Sequence, residues 1–300
     1  MNAVSEIGRV GPDRFALVIG AMKSGTTSLF EVLSQHPQIA ACSEKEPNFF
    51  AFGEAWSRGW KWYAGLWAWD AARHRIALEA SPSYTTYPAR PGVPERIASI
   101  PGADFRFIYI MRHPCDQIES NIRHTLYAGW GTSLDEAGVP EWMIETASYA
   151  MQLDRFHALF PLDRFLLLTL DEFERDPAGV LRRVCSFLGV DEQFAYERVD
   201  ERYNSGAVYE MPAVWARIAK SPLARWAARR VLPRGLKHRI RAQLARLPGR
   251  AAPLGRYRLN EDERAAVMER LDADLARLES YYGVPAGSLW GRTARVPAGL

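Results

Sequence analysis

The stretch Phe15 to Leu33, FALVIGAMKSGTTSLFEVL, constrains this chain more than any other. Phe15-Ala16-Leu17-Val18-Ile19 is an unbroken apolar run, the pattern of a strand buried on both faces in a parallel sheet. Gly20 to Gly25 breaks that run with two glycines, and Leu29, Val32 and Leu33 then recur at helical spacing until His36-Pro37 closes the segment. A strand, a glycine turn and a helix direct backbone N–H groups and the positive end of a helix at one point, which makes a phosphate cradle.

The cradle departs from the G-x-x-x-x-G-K-[ST] loop of nucleotide triphosphatases. Gly20 and Gly25 keep its spacing, but Thr26 stands where the lysine belongs and Thr27 where the magnesium-binding hydroxyl belongs. The lysine is at position 23, inside the turn. The segment Lys23-Ser24-Gly25-Thr26-Thr27-Ser28-Leu29 after an apolar strand resembles the 5′-phosphosulfate loop of sulfotransferases, which use 3′-phosphoadenosine 5′-phosphosulfate (PAPS). The resemblance implies that Lys23 and the amides of Ser24, Gly25, Thr26, Thr27 and Ser28 hold the 5′-phosphate. Lys23 would also offset charge on the leaving oxygen.

Further segments follow in that family's order. Lys45-Glu46-Pro47-Asn48-Phe49-Phe50 resembles the K-E-P-x-F-F segment of heparan-type sulfotransferases, whose glutamate is the catalytic base, a role that falls here on Glu46. Without the resemblance, Lys45 and Glu46 read as a solvated ion pair. Glu79-Ala80-Ser81-Pro82-Ser83-Tyr84 is similar to the family's K-x-P-S-Y segment, but its lysine falls on Ala80 or Glu79. That departure weakens the case for a heparan-like acceptor and leaves Glu79 as a candidate for substrate contact.

Phe105 to Met111 is the strongest strand after the first and ends at Arg112-His113-Pro114, with proline suited to open a helix. A triphosphatase would carry a magnesium-binding aspartate there. An arginine instead favours direct binding of an anion with no metal. Arg112 and Ser120 keep the family's eight-residue spacing, and the resemblance implies that both bind the 3′-phosphate. Tyr149, in Ser148 to Leu153, resembles a residue lying near the nucleotide in relatives. His113, His124 and His157 match no nucleophile or metal pattern, although His124 could face the substrate.

The remaining expectations concern organisation. Short strands are expected at 39–42, 76–78 and 165–170, a long helix from Glu141 to Leu159, and a helix capped by Asp176, opened by Pro177 and ended at Gly189. Asn260 and Glu263 make a capping box for a last helix ending by Gly283. The expected fold is α/β: one domain over residues 1–300, built on a P-loop-type parallel sheet of four or five strands flanked by helices. Its core spans 14–206, followed by a basic helical appendage at 207–255, a packed helix at 256–283 and a tail at 284–300. Tyr203 to Gly206 resembles a family loop. Five of the ten tryptophans crowd residues 56–69, either as core or as the apolar wall of a ligand site.

Composition narrows the function classes. The formal net charge is +3, yet Arg217 to Arg258 holds thirteen Lys and Arg and no acid, leaving −10 for the rest. Trp215 and Trp226 accompany those cations, so 214–250 reads either as a packed structural face or as a peripheral contact with an anionic membrane or acidic glycan. No nucleic-acid partner is expected. Three scattered cysteines form no disulfide framework, and no apolar stretch is long enough for a membrane span. Together with the resemblance, these imply a soluble cytoplasmic enzyme, free or held peripherally at the inner membrane face, that sulfates a small-molecule, lipid or glycan hydroxyl, or less readily an amine. The rival readings are a P-loop kinase or triphosphatase, for which no magnesium ligands stand out, and a non-catalytic anion-binding module.

Overall fold

The computed structural model describes residues 11–127, 138–197 and 258–291. The basic appendage at 207–255 and the loop Tyr203 to Gly206 lie outside the described residues. Five strands form one sheet: β1 (Arg14–Gly20), β2 (Ile39–Ala41), β3 (Ile76–Ala80), β4 (Asp104–Met111) and β5 (Phe165–Thr169). Their spatial order is β2-β3-β1-β4-β5, and every neighbouring pair is parallel. The apolar runs explain this: from Phe15 to Gly20 every residue of β1 is buried, as is the whole of β3. Chain order reverses direction on either side of β1, so the carboxyl ends of β1, β3 and β4 frame a crevice where ligands bind in open parallel sheets.

Phe15 anchors the core on one side. Its ring centroid lies 5.4 Å from Phe105, 5.5 Å from Trp60 and 5.4 Å from Trp67. The tryptophan-rich segment folds as α2 (Gly53–Trp56) and α3 (Gly59–Ala64). The two readings of it divide. Trp60 and Trp67 belong to the core, with the Trp67 indole donating to the Leu78 carbonyl at 3.1 Å, whereas Trp62 lines an open cleft.

Helix α1 (Thr26–Leu33) follows the glycine turn, α4 (Val93–Ala98) precedes β4, and α5 (Pro114–Tyr127) follows it. The expected long helix over 141–159 is two helices, α6 (Glu141–Ala147) and α7 (Tyr149–His157), broken at Ser148, where ψ is 78°. The cause lies far away in sequence. After β5 come α8 (Leu170–Arg175), α9 (Pro177–Leu188) and α10 (Glu261–Tyr282). Asp274 of α10 accepts from the Ala150 and Met151 amides at 3.0 and 2.8 Å, capping α7 from outside. Gln152, wholly buried, holds the break from the other side by bonding both the amide and the carbonyl of Tyr87.

The expected caps form. Asp176 accepts from Gly179, and Gly189 ends α9 in the left-handed conformation. Asn260 and Glu263 make the reciprocal capping box of α10. Val267, Leu271, Leu275 and Leu278 bury one face of α10, and Arg264 pairs with Asp116 and Glu119 of α5 at 3.2 and 2.7 Å. The stretch read as a tail contains one more helix, α11 (Ala286–Trp290). Trp290 is buried, donates to Asp171 at 3.2 Å and stands 5.8 Å from the Tyr149 ring.

If Asp274 supplies the cap of α7, Asp274→Ala loses about 1–2 kcal/mol of stability, the usual range for a lost helix cap. Urea denaturation measures it; an unchanged midpoint and slope would show that α7 does not depend on Asp274.

Candidate active site

The turn between β1 and α1 is shaped by close packing. A Cβ on Gly20 would stand 2.0 Å from the Thr85 hydroxyl oxygen, which bonds the Ile19 carbonyl at 2.9 Å. Gly25 adopts φ 93°, where other residues are strained, and a Cβ there would meet Leu170 at 2.8 Å. No side chain caps α1. The first turn of an α-helix leaves its amides without i−4 carbonyls, which suits this helix start to an anion. The Ser24 side chain is fully buried and its amide donates to the Ala21 carbonyl at 3.3 Å, so it braces the turn from inside.

Lys23 and Glu46 both adopt the left-handed conformation, with φ of 64° and 53°. Such backbone is uncommon for non-glycine residues and concentrates at functional sites. Burial lowers the Lys23 ammonium below its ordinary range; Glu46 opposes that shift, while Lys45, Arg123 and Arg112 reinforce it. Four charged side chains from other segments thus lie near enough to Lys23 to act on its charge. Lys45 ties its segment to α1: its ammonium donates to the Thr27 hydroxyl at 2.8 Å and lies 3.8 Å from the Glu46 carboxylate.

The Glu46 turn rests on the end of β3. Asn48, also left-handed at φ 52°, donates from its side chain to the Glu46 carbonyl at 2.7 Å. The Asn48 amide donates to the Ser81 hydroxyl at 3.1 Å, and the Ser83 hydroxyl donates to the Asn48 side-chain oxygen. Ser81 donates in turn to Glu79 at 3.2 Å, and Tyr63 donates to the same carboxylate at 3.0 Å. Glu79, the candidate for substrate contact, is thus wholly buried and braces the Glu46 turn from beneath. Ala80, where the family lysine falls, is buried too.

Arg112 leaves the end of β4 beside α5. Its guanidinium is 3.8 Å from Asp116, whose carboxylate is shared with Arg264. Ser120 is half-buried on α5, one turn beyond Asp116. Tyr149 does not reach the surface; it is fully buried and donates to the Arg112 carbonyl at 2.7 Å, with Ser24 also acting on its hydroxyl. It joins the glycine turn to the start of α5. The histidines divide. His113 accepts from the Cys115 amide at 3.2 Å, and His157 meets the Phe160 carbonyl and the Tyr281 hydroxyl. His124 is half-buried, and burial together with the nearby Lys23 lowers its pKa.

Lys45 and Arg123 escaped the sequence reading as site residues. Lys45 was hidden as the partner of Glu46 in a solvated pair. Arg123 had a usable signal, because it lies three residues after Ser120 and so on the same helix face. Burial pushes the Cys42 thiol up to about 12 and the Cys115 thiol up to about 11, which removes both as nucleophiles. Among the described residues no three His, Cys, Asp or Glu are grouped to hold a metal ion.

Burial also pushes the Glu79 carboxyl from 4.5 up to about 7, against the pull of its Tyr84, Tyr63 and Ser81 hydroxyl partners. The folded state then keeps a proton that the unfolded chain releases, so this contribution to stability is full below the unfolded value and is lost as pH rises through the folded one. The stability of the wild type relative to Glu79→Gln should therefore fall between about pH 5 and about pH 8 in chemical denaturation. A difference independent of pH would mean that Glu79 is ionised throughout.

The comparisons with known proteins fit this geometry. The family model described as "Sulfotransferase domain" matches residues 13–207. Mouse heparan sulfate glucosamine 3-O-sulfotransferase 6 is 32% identical over 186 residues, 58% of this chain and 52% of the relative. Mouse heparan sulfate glucosamine 3-O-sulfotransferase 3B1 is 31% identical over 186 residues, 58% of this chain and 46% of the relative. The chain thus matches about half the length of these curated relatives. The crystal structure of a sulfotransferase from Alicyclobacillus acidocaldarius superposes with a TM-score of 0.54 at 27% identity, covering 69% of this chain and 92% of that one. With the match spanning β1 through β5 and the loops that carry Lys23, Glu46 and Arg112, this chain belongs to the sulfotransferase domain family.

Proposed function

We propose that this chain transfers the sulfuryl group of PAPS to the hydroxyl of an acceptor. One observation carries the reading: Lys23, Glu46 and Arg112 stand on loops at the carboxyl edge of the sheet, and Lys45 joins the Glu46 loop to Thr27 of α1. A P-loop kinase would need magnesium ligands at the end of β4, where Arg112 stands instead.

Each residue has a part set by its place. The first-turn amides of α1 and the Lys23 ammonium hold the 5′-phosphate of the donor. Arg112 and Ser120 hold the 3′-phosphate, the group that distinguishes PAPS from ATP. Arg112 carries a fixed charge with a planar fork of donors suited to phosphate. Glu46 takes the acceptor proton as the acceptor oxygen bonds to sulfur. The bond from sulfur to the bridging 5′-phosphate oxygen breaks in the same displacement. Lys23 stabilises the charge that gathers on that oxygen, as cations do in phosphoryl transfer. Tyr149 and Glu79 touch neither reactant; they fix the Arg112 backbone and the Glu46 turn.

Adenosine 3′,5′-bisphosphate should bind without magnesium, and tighter than ATP. Arg112→Gln should weaken it about tenfold or more, the scale of a lost hydrogen bond to a charged group. Calorimetry checks both; magnesium-dependent ATP binding with no preference for the bisphosphate would overturn the reading.

Glu46→Gln should lower kcat by about 10²-fold, the usual contribution of a general base, and leave bisphosphate affinity unchanged. Transfer from labelled PAPS at a near wild-type rate would return Glu46 to a simple ion pair with Lys45.

A further inference from the structure

A cleft of about 710 Å³ opens next to Glu46, beginning with the two residues that follow it, Pro47 and Asn48. Its size is that of a small-molecule site. Two aromatic rings wall it, Phe52 and Trp62, with Ala55 between apolar contacts. Phe52 is 39% exposed, so its ring is accessible from the cleft.

Each ring carries an arginine. The guanidinium carbon of Arg58 is 3.5 Å from the Trp62 ring centroid, and that of Arg90 is 4.5 Å from the Phe52 centroid. Neither arginine makes an ion pair among the described residues, unlike Arg155, Arg183, Arg264, Arg270 and Arg277. Glu54 also lines the cleft, one turn before Arg58, but does not pair with it. Arg58 lines the cleft and, held on the indole, keeps N–H donors free for an anion.

We infer that the acceptor is a small planar molecule bearing a hydroxyl at one end and a carboxylate or similar anion at the other. The inference rests on the proposed sulfuryl transfer. Its ring lies against Phe52 and Trp62, its anion meets Arg58, and its hydroxyl reaches Glu46 at the mouth of the cleft. A sulfated polysaccharide fits less well. Such a chain needs cations spaced along an open groove, and among the described residues this cleft offers aromatic faces with arginine at one place.

The test uses two phenols of the same body, 4-hydroxyphenylacetate and its neutral amide. Each is titrated calorimetrically into the full chain saturated with adenosine 3′,5′-bisphosphate, and each is then offered as acceptor with PAPS. The acid should bind at least tenfold tighter than the amide, and its sulfated product should form with a correspondingly lower KM. In Arg58→Gln the ratio between acid and amide should fall to near one. Bisphosphate binding in the variant reports that it is folded.

Equal binding of acid and amide, or a preference kept in Arg58→Gln, overturns the inference. So does binding of a sulfated heparan tetrasaccharide with neither phenol bound. Failure of both phenols to bind a chain that does bind the bisphosphate rejects the acceptor class and leaves the donor assignment standing. Failure to bind the bisphosphate rejects the donor assignment instead, while titration of the acid without it still reports on the cleft.

Discussion

Lys23 sits where burial and three neighbouring cations all work against its charge, and Glu46 alone among its strongest influences favours it. Crowding like charges in a partly dehydrated place is costly, because each loses hydration and repels the others. A fold keeps such an arrangement when something else fixes the backbone and when an anion relieves the repulsion on binding. Here the backbone is fixed by the glycine turn, where Gly20 allows Thr85 to close in and Gly25 allows the left-handed entry to α1. Relief by an anion also links binding to stability, since a ligand that binds only the folded state stabilises it by mass action.

The sheet supplies the frame, but the site depends on contacts that cross it. Glu46 is exposed on a loop, yet Asn48, Ser81 and Glu79 connect its turn to the buried end of β3. Arg112 is held in a comparable way from behind, by Tyr149 at its carbonyl and by Asp116 at its guanidinium. Tyr149 in turn opens α7, whose start is capped by Asp274 of α10. Helix α10 therefore helps to position Arg112 through α7 and Tyr149. Two-shell construction of this kind places groups more accurately than a loop alone can.

What the sequence disclosed follows from locality. The strand, turn and helix around Lys23 were legible because each is decided by neighbouring residues: apolar runs, two glycines, and a 3.6-residue period. The caps at Asp176 and Asn260 were legible for the same reason. The break at Ser148 was not, because its cause is an aspartate more than a hundred residues away that pairs with two amides. Glu79 was a candidate for substrate contact because it falls at the place of a family lysine, and matching segments does not tell which strand-end side chain is buried. Nothing near it in the chain announces that Tyr63 and Tyr84 enclose it. The tryptophans were ambiguous because an indole serves core and cleft alike, and packing against Phe15 rather than composition separates Trp60 and Trp67 from Trp62.

The position of the missing family lysine shows how such a site keeps its charge. Ala80 is buried at the end of β3 between buried neighbours, where a cation would lose hydration. The cations that act on Lys23 come instead from Lys45 on the Glu46 loop and from Arg112 and Arg123, at the start and on the exposed face of α5. Those two elements can carry charge cheaply, because one side of each is solvated and Glu46 and Asp116 partly neutralise them. The interior of a parallel sheet cannot. Positive charge at this edge therefore has to be supplied from loops and helix faces, which leaves the strand ends apolar enough to build the core on which the loops depend.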